Sequence, residues 1–180
     1  MLSWQRIARR IRVPLGFVFA ALYVWLARPS WLSLFLGSVV SVFGVVIRAL
    51  ASGHVRKNEQ LTTTGPYAYT RNPLYLGSLI IALGFTLASR SWIIAAIATA
   101  MLVGIYVPVI RSEERFLRER FPQFDEYCRN VPRLFPRRRA APESAGEFSS
   151  DLFWKHREYN AALGTAAMIA VLVIKLLWFR

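Results

Sequence analysis

Gly65-Pro-Tyr67-Ala-Tyr69-Thr-Arg71-Asn72-Pro73-Leu-Tyr75-Leu-Gly77 is a polar, turn-rich collar between two strongly apolar runs, and its reading decides how the rest of the chain is arranged. Gly65-Pro66 and Asn72-Pro73 are turn-forming dipeptides, and Pro73 suits the first position of a helix that follows. Arg71 therefore stands where that helix enters the membrane, and its guanidinium is available to an anion.

Working outward, the composition asks for lipid. The 180 residues are 55% apolar and 18% charged, include six Trp, and have a mean hydropathy of +0.36. This is too apolar for a soluble domain of that length and reads as an integral membrane protein. The net charge of +13 does not point to nucleic acid, because the basic residues lie between apolar runs rather than along one polar face; anionic headgroups of the bilayer account for them better. The single cysteine, Cys128, excludes an internal disulfide and a multi-cysteine metal centre. His54 has no companions at metal-ligand spacing. No Gly-x-Gly-x-x-Gly turn follows a strand-like run, so a Rossmann cofactor site is unsupported.

Five apolar runs follow one another. The first, Val13 to Ala27, is preceded by Arg6, Arg9, Arg10 and Arg12 in the manner of a signal peptide, but Trp25 occupies the position where cleavage needs a small residue. A retained membrane helix is expected. The second, Trp31 to Ala51, carries Gly37, Ser38, Ser41 and Gly44 as a packing stripe and Arg48 near its end, where snorkelling is expected. The third and fourth, Leu74 to Ala88 and Trp92 to Ile110, are joined by Ser89-Arg90-Ser91 and so are predicted as antiparallel neighbours. An amphipathic helix over 111–124, with Phe116, Leu117, Phe121 and Phe124 on one face, is predicted to lie at the membrane surface. Residues 137–150 read as a mobile linker, and the last run, Ala161 to Phe179, contains Lys175.

Nineteen of the 23 Lys and Arg fall on the side holding the amino-terminal tail, the collar and the 111–160 segment. The positive-inside rule then places the amino terminus, the collar and the basic segment in the cytoplasm. The expected architecture is an all-α integral membrane bundle of about five transmembrane helices with a cytoplasmic juxtamembrane helix and lid. It divides into 1–51 (two transmembrane helices), 52–136 (the core), 137–160 (linker) and 161–180 (the last helix).

Three groups carry chemistry. In the collar, Tyr67, Tyr69 and Tyr75 supply amphipathic rings, Arg71 a planar donor fork and Asn72 an amide. Such a set holds an aromatic ring and a carboxylate, or else anchors a helix end in the interfacial belt. Glu113-Glu114 follows the fourth apolar run, and adjacent carboxylates point about 100° apart on a helix. One can face the bundle and the other water, or Glu114 with Arg118 and Arg115 with Glu119 form ordinary surface ion pairs. Finally, Phe121-Pro-Gln-Phe-Asp-Glu-Tyr127 and Val131-Pro-Arg133-Leu-Phe-Pro136 form an aromatic stretch that either folds back as a lid or re-enters the interface.

In that order the pieces resemble the isoprenylcysteine carboxyl methyltransferase family and its phospholipid methyltransferase relatives, over roughly residues 50 to 136. The family usually has Arg-His-Pro where this chain has Arg71-Asn72-Pro73. The resemblance implies a membrane-embedded methyltransferase that takes S-adenosyl-L-methionine from the cytoplasm and a lipophilic or prenylated acceptor from the bilayer. It places Tyr67, Arg71, Asn72, Tyr75, Glu113, Glu114 and Tyr127 in the cofactor site, with Arg71 and Glu114 in the catalytic role. Carboxyl O-methylation of an isoprenylcysteine-like substrate leads. The competing readings are phospholipid N-methylation, an NADPH-dependent reductase of the sterol type, and a non-catalytic membrane or metal-resistance protein on the same scaffold.

Overall fold

A computed structural model describes residues 4–56, 59–136 and 147–178, with side chains from residue 14 onward except that of Leu15. Among these residues the chain is all helix, without strands. The helices are α1 (Trp4–Leu26), α2 (Trp31–Ser52), α3 (Pro73–Ser89), α4 (Trp92–Met101), α5 (Val107–Arg120), α6 (Phe124–Asn130), α7 (Ser150–Lys155) and α8 (Tyr159–Trp178).

Local chemistry explains the boundaries. Ser30 and Ser33 form a reciprocal capping box at the start of α2, with Ser33 N–H donating to Ser30 Oγ at 3.2 Å and Ser30 N–H to Ser33 Oγ at 2.9 Å. The collar opens with a 3-10 turn over Gly65–Ala68, in which Gly65 takes φ +56° and its missing side chain leaves room for the His54 ring. Pro73 begins α3, at a position where its missing N–H costs nothing. Ser91 caps α4 by accepting from Ile94 N–H.

The tightest contact of the bundle is the α2–α3 seam. Gly37 faces Gly84 and Gly44 faces Gly77; a Cβ on Gly44 would lie 2.6 Å from the Gly77 carbonyl oxygen, and one on Gly84 2.5 Å from that of Gly37. The Ser41 hydroxyl donates to the Ile81 carbonyl between the two crossings. The stripe expected on α2 is thus matched by a second one on α3, and the backbones touch along most of their length. α3 packs chiefly on α2, and meets its sequence neighbour α4 far less.

Two expectations need correction. A separate surface helix over 111–124 is not formed: α4 and α5 run on as one 29-residue helix, Trp92–Arg120, through a π segment at Leu102–Tyr106. Pro108 cannot donate to the carbonyl four residues before it, and the wider π turn, in which Val107 N–H reaches Leu102, takes up the mismatch without breaking the rod. The helix stops at Arg120, and α6 starts beyond Pro122. Of the expected linker, 137–146 lies outside the described residues, whereas 147–160 contains α7 and docks on the end of α2: Ser149 N–H donates to the Gly53 carbonyl at 2.9 Å, and Phe148 fills the space over Gly53.

By length and composition three helices can cross a membrane, namely α2, Trp92–Arg120 and α8. α3, with 17 residues, reaches about 25 Å, short of a hydrocarbon core of about 30 Å. Away from the collar, Tyr23, Ala27, Leu34, Ala88, Ile94 and Leu172 form a closed apolar cluster that joins five helices. There the Lys175 ammonium donates to the Val24, Trp25 and Ala27 carbonyls, capping the end of α1.

Candidate functional site

The collar and the stretch after α6 are stitched together by backbone. Arg71 N–H donates to the Pro132 carbonyl at 2.9 Å, and the Arg133 carbonyl accepts from Asn72 Nδ2 at 2.9 Å and from the Thr70 hydroxyl at 3.2 Å. Below this joint Phe124, Tyr127 and Val131 pack with Leu61, Leu117 and Phe121. Residues 121–136 therefore fold back over the collar. The Tyr127 hydroxyl donates to the Tyr67 carbonyl at 2.7 Å. Burial pushes both phenols well above their ordinary pKa; for Tyr67, Tyr127, Glu113 and Glu158 add to the effect, and for Tyr127, Arg71 opposes it.

Into this joint α5 inserts Glu114, only 5% exposed. Its carboxylate accepts from Arg133 Nε at 2.9 and 3.1 Å and lies 2.7 Å from Arg133 Nη2. Arg71 Nη1 lies 3.5 Å away, and Asn72 Nδ2 donates from 3.4 Å. Pairing with Arg118, four residues on, is not what forms; Arg118 bonds Asp125 instead. Two guanidiniums meet one carboxylate: the Arg71 side chain is largely buried with Glu114, whereas that of Arg133 is half exposed, so Glu114 takes its closest ion pair from the solvent side and leaves the buried Arg71 only loosely paired. Arg71 Nη1 also donates to Cys128 Sγ, while Arg71 Nε is buried with no hydrogen-bond partner among the described residues. An unspent donor on a loosely paired cation is what an anionic ligand would use.

Glu113 points the other way, as the helical offset predicts. It is exposed and accepts from the Tyr75 hydroxyl at 2.9 Å, and the Tyr75 ring stands edge-on to Tyr106 with centroids 5.8 Å apart. The structure thus joins Arg71, Asn72 and Glu114 directly, ties Tyr67 to Tyr127 beneath them, and sets Tyr75 with Glu113 as a separate pair. Arg133 was not singled out by sequence reasoning, although Val131-Pro-Arg133 was its signal. Tyr106 had none, since its direction depends on the π turn.

Arg48 does not snorkel. Its guanidinium grips Glu158 at 2.7 and 2.9 Å and also donates to the Leu74 carbonyl and the Ser78 hydroxyl. That pair ties α2, α3 and the start of α8 together at one end of a partly open cavity of about 420 Å³. Phe19 and Tyr23 of α1, Ala82 and Phe85 of α3, and Met168 of α8 are among the residues that wall it, so it is overwhelmingly apolar.

A phospholipid methyltransferase profile matches residues 15–123, from α1 through the collar to both glutamates. The chain belongs to the phospholipid methyltransferase family. The resemblance to the membrane methyltransferases is borne out by that match. Within curated proteins, this family member is 37% identical over 133 residues to the cobalt-zinc-cadmium resistance protein CzcN of Cupriavidus metallidurans, covering 70% of the present chain and 62% of that relative. It is 42% identical over 82 residues to the nickel-cobalt-cadmium resistance protein NccN of Alcaligenes xylosoxydans xylosoxydans, covering 46% and 38% respectively. The chain thus spans less than two thirds of the length of either relative. No solved structure matches this phospholipid methyltransferase family member.

Proposed function

We propose that the chain is a five-span membrane enzyme that transfers a methyl group from S-adenosyl-L-methionine to a lipophilic acceptor, with its amino terminus and collar in the cytoplasm. The observation that carries this reading is the convergence of buried Arg71, Asn72 and Glu114 with half-exposed Arg133 in one joint, where the loosely paired Arg71 keeps an unspent donor.

The residues fit the cofactor. Arg71 offers its free Nε to the carboxylate, and Glu113 with Tyr75 offers an exposed acceptor to ribose hydroxyls or the ammonium. The bound cofactor supplies a methyl carbon already activated by its sulfonium. The protein's part is then positioning and exclusion of water, served by the fold of residues 121–136 over the collar. Glu114, buried between two arginines, acts as a positioning residue that orients Arg71. An acceptor carboxylate is ionised at neutral pH and needs no base, whereas an ammonium must first lose a proton. Glu114, the carboxylate beside Arg71, is held by Arg133 and so is poorly placed to act as a base, which favours carboxyl O-methylation of an isoprenylcysteine-like acceptor as the leading chemistry. Phospholipid N-methylation, with Glu113 taking the proton, follows it.

Incubating purified protein with methyl-labelled S-adenosyl-L-methionine and prenylcysteine or phospholipid acceptors tests the reading. Label should enter the organic phase; no label with either acceptor, together with no binding of S-adenosylhomocysteine or NADPH, sinks it, and NADPH binding alone favours the reductase. The names of the relatives motivate a second reading, a part in metal resistance. In that case cells carrying Arg71→Ala should lose cobalt or cadmium tolerance along with methyl transfer.

A further inference from the structure

The cavity among α1, α3, α4 and α8 has a direction. At the collar end it is bounded by Arg48, Ser78, Tyr106 and Asn160, and at the far end by Tyr23, Phe85, Ile94 and Met168, which belong to or pack against the closed apolar cluster. From Asn160 to Met168 along α8 is about 12 Å at 1.5 Å per residue. The collar end adjoins the proposed cofactor site through Tyr106, whose ring meets Tyr75, the donor to Glu113. A cavity of about 420 Å³ lies near the lower end of small-molecule sites. It is partly open and predominantly apolar, and the charged Arg48 lies at its collar end with Ser78, Tyr106 and Asn160.

Two glycines line it, Gly16 on α1 and Gly164 on α8, and a Cβ built on either meets nothing within 4 Å. Both are exposed on the open side of the cavity, so they are not there for close helix contact. Along α8, Gly164 lies about 6 Å below Asn160, roughly midway down the cavity. α8 lies wholly outside the family match at residues 15–123, yet it supplies Ala161, Gly164, Thr165 and Met168 to the wall. Arg48–Glu158 fastens the turn immediately before it in place.

We propose that α8 closes a chamber for a single hydrocarbon chain, and that Gly164 with Gly16 sets how long an acceptor chain the chamber admits. The occupant is a single-chain amphiphile whose polar head lies at the Tyr106 end and whose tail passes between the two glycines toward Met168. This rests on the methyltransferase reading for what happens to the head, but the chamber itself can be tested without it.

The experiment compares wild type with Gly164→Leu, Gly16→Leu and, as an outward-facing control, Leu163→Phe at a position 63% exposed. Each purified protein receives labelled S-adenosyl-L-methionine and S-alkylcysteine carboxylates of rising chain length. Both glycine variants should keep transfer to the shortest acceptors and lose it by about tenfold or more for the longest, as a filled apolar pocket discriminates. Leu163→Phe should follow wild type. Folded glycine variants that bind S-adenosylhomocysteine normally and keep the wild-type chain-length profile overturn the proposal. If wild type neither binds the cofactor product nor transfers methyl, the methyltransferase reading fails on its own. The chamber is then judged by native mass spectrometry with a long single-chain alkyl carboxylate. Retention by wild type and loss from Gly164→Leu uphold it, and equal retention by both overturns it.

Discussion

The two faces of α3 use the same small-residue vocabulary for opposite ends. On one face Gly77 and Gly84 are pressed against α2, where a Cβ would run into backbone. On the other, Ser78, Ala82 and Phe85 look into a cavity whose glycines on α1 and α8 have open space in front of them. In the first region glycine lets two backbones meet, and in the second it keeps them from being filled. A glycine in an apolar helix therefore says nothing until its surroundings are known. The seam is where the protein stores stability, and the cavity is where it gives some up.

The largest expected effect comes from breaking the seam. Gly84→Leu forces a side chain into the Gly37 carbonyl and the Ser41 side chain, and overpacking at a site with no slack costs about 3 kcal/mol or more. Loss of the monodisperse peak in detergent, or a steep fall in thermal midpoint, should report it. If Gly84→Leu behaves like Gly164→Leu, the contrast between the two regions is wrong. Next comes the pair that belongs to both. Arg48 packs on Gly77 at the seam and also lines the cavity, so Glu158→Ala leaves a largely buried guanidinium unpaired. The expected cost is about 3 kcal/mol, whereas Arg48→Met with Glu158→Leu should recover most of it. A double-mutant cycle on thermal unfolding checks this.

Smaller effects follow. Between about pH 7 and 9 stability should be flat as far as Tyr67 and Tyr127 are concerned. Both phenols have pKa values raised by burial, so the folded state favours the protonated form. Their contribution is complete below the unfolded value of about 10 and is lost as pH rises above it. Alkaline titration followed by protease accessibility of residues 121–136 should show this joint loosening first; opening below pH 9 would speak against it. The smallest change is Gly164→Ala, which should leave the unfolding midpoint unchanged or slightly higher, since helix propensity favours Ala by up to about 1 kcal/mol.

Much of this was legible beforehand, and what was not has a common cause. Hydropathy marked the apolar runs, and the small residues of α2 announced a close contact, because both depend on residues along one element. The partner stripe on α3 needed only the same reading applied to Gly77 and Gly84. The split between Glu113 and Glu114 followed from helical offset, and the structure chose its buried member. Arg48 was misread because its partner, Glu158, lies 110 positions away, and spacing along a helix cannot find such a pair. The continuation of α4 into α5 was hidden by Pro108, whose usual effect is absorbed by the π turn. Arg133 stood in a quoted motif but looked like one more basic residue, until the fold placed it on Glu114.

The central claim is that the joint around Arg71 binds the methyl donor, and the most direct measurement is calorimetric titration of S-adenosylhomocysteine into wild type and Arg71→Ala. Saturable heat with wild type is expected, with affinity at least about tenfold weaker once the charge-assisted contact is gone, at an unchanged unfolding midpoint or one lowered only slightly. Equal affinity in the two proteins, or no heat from a folded wild type, would contradict it.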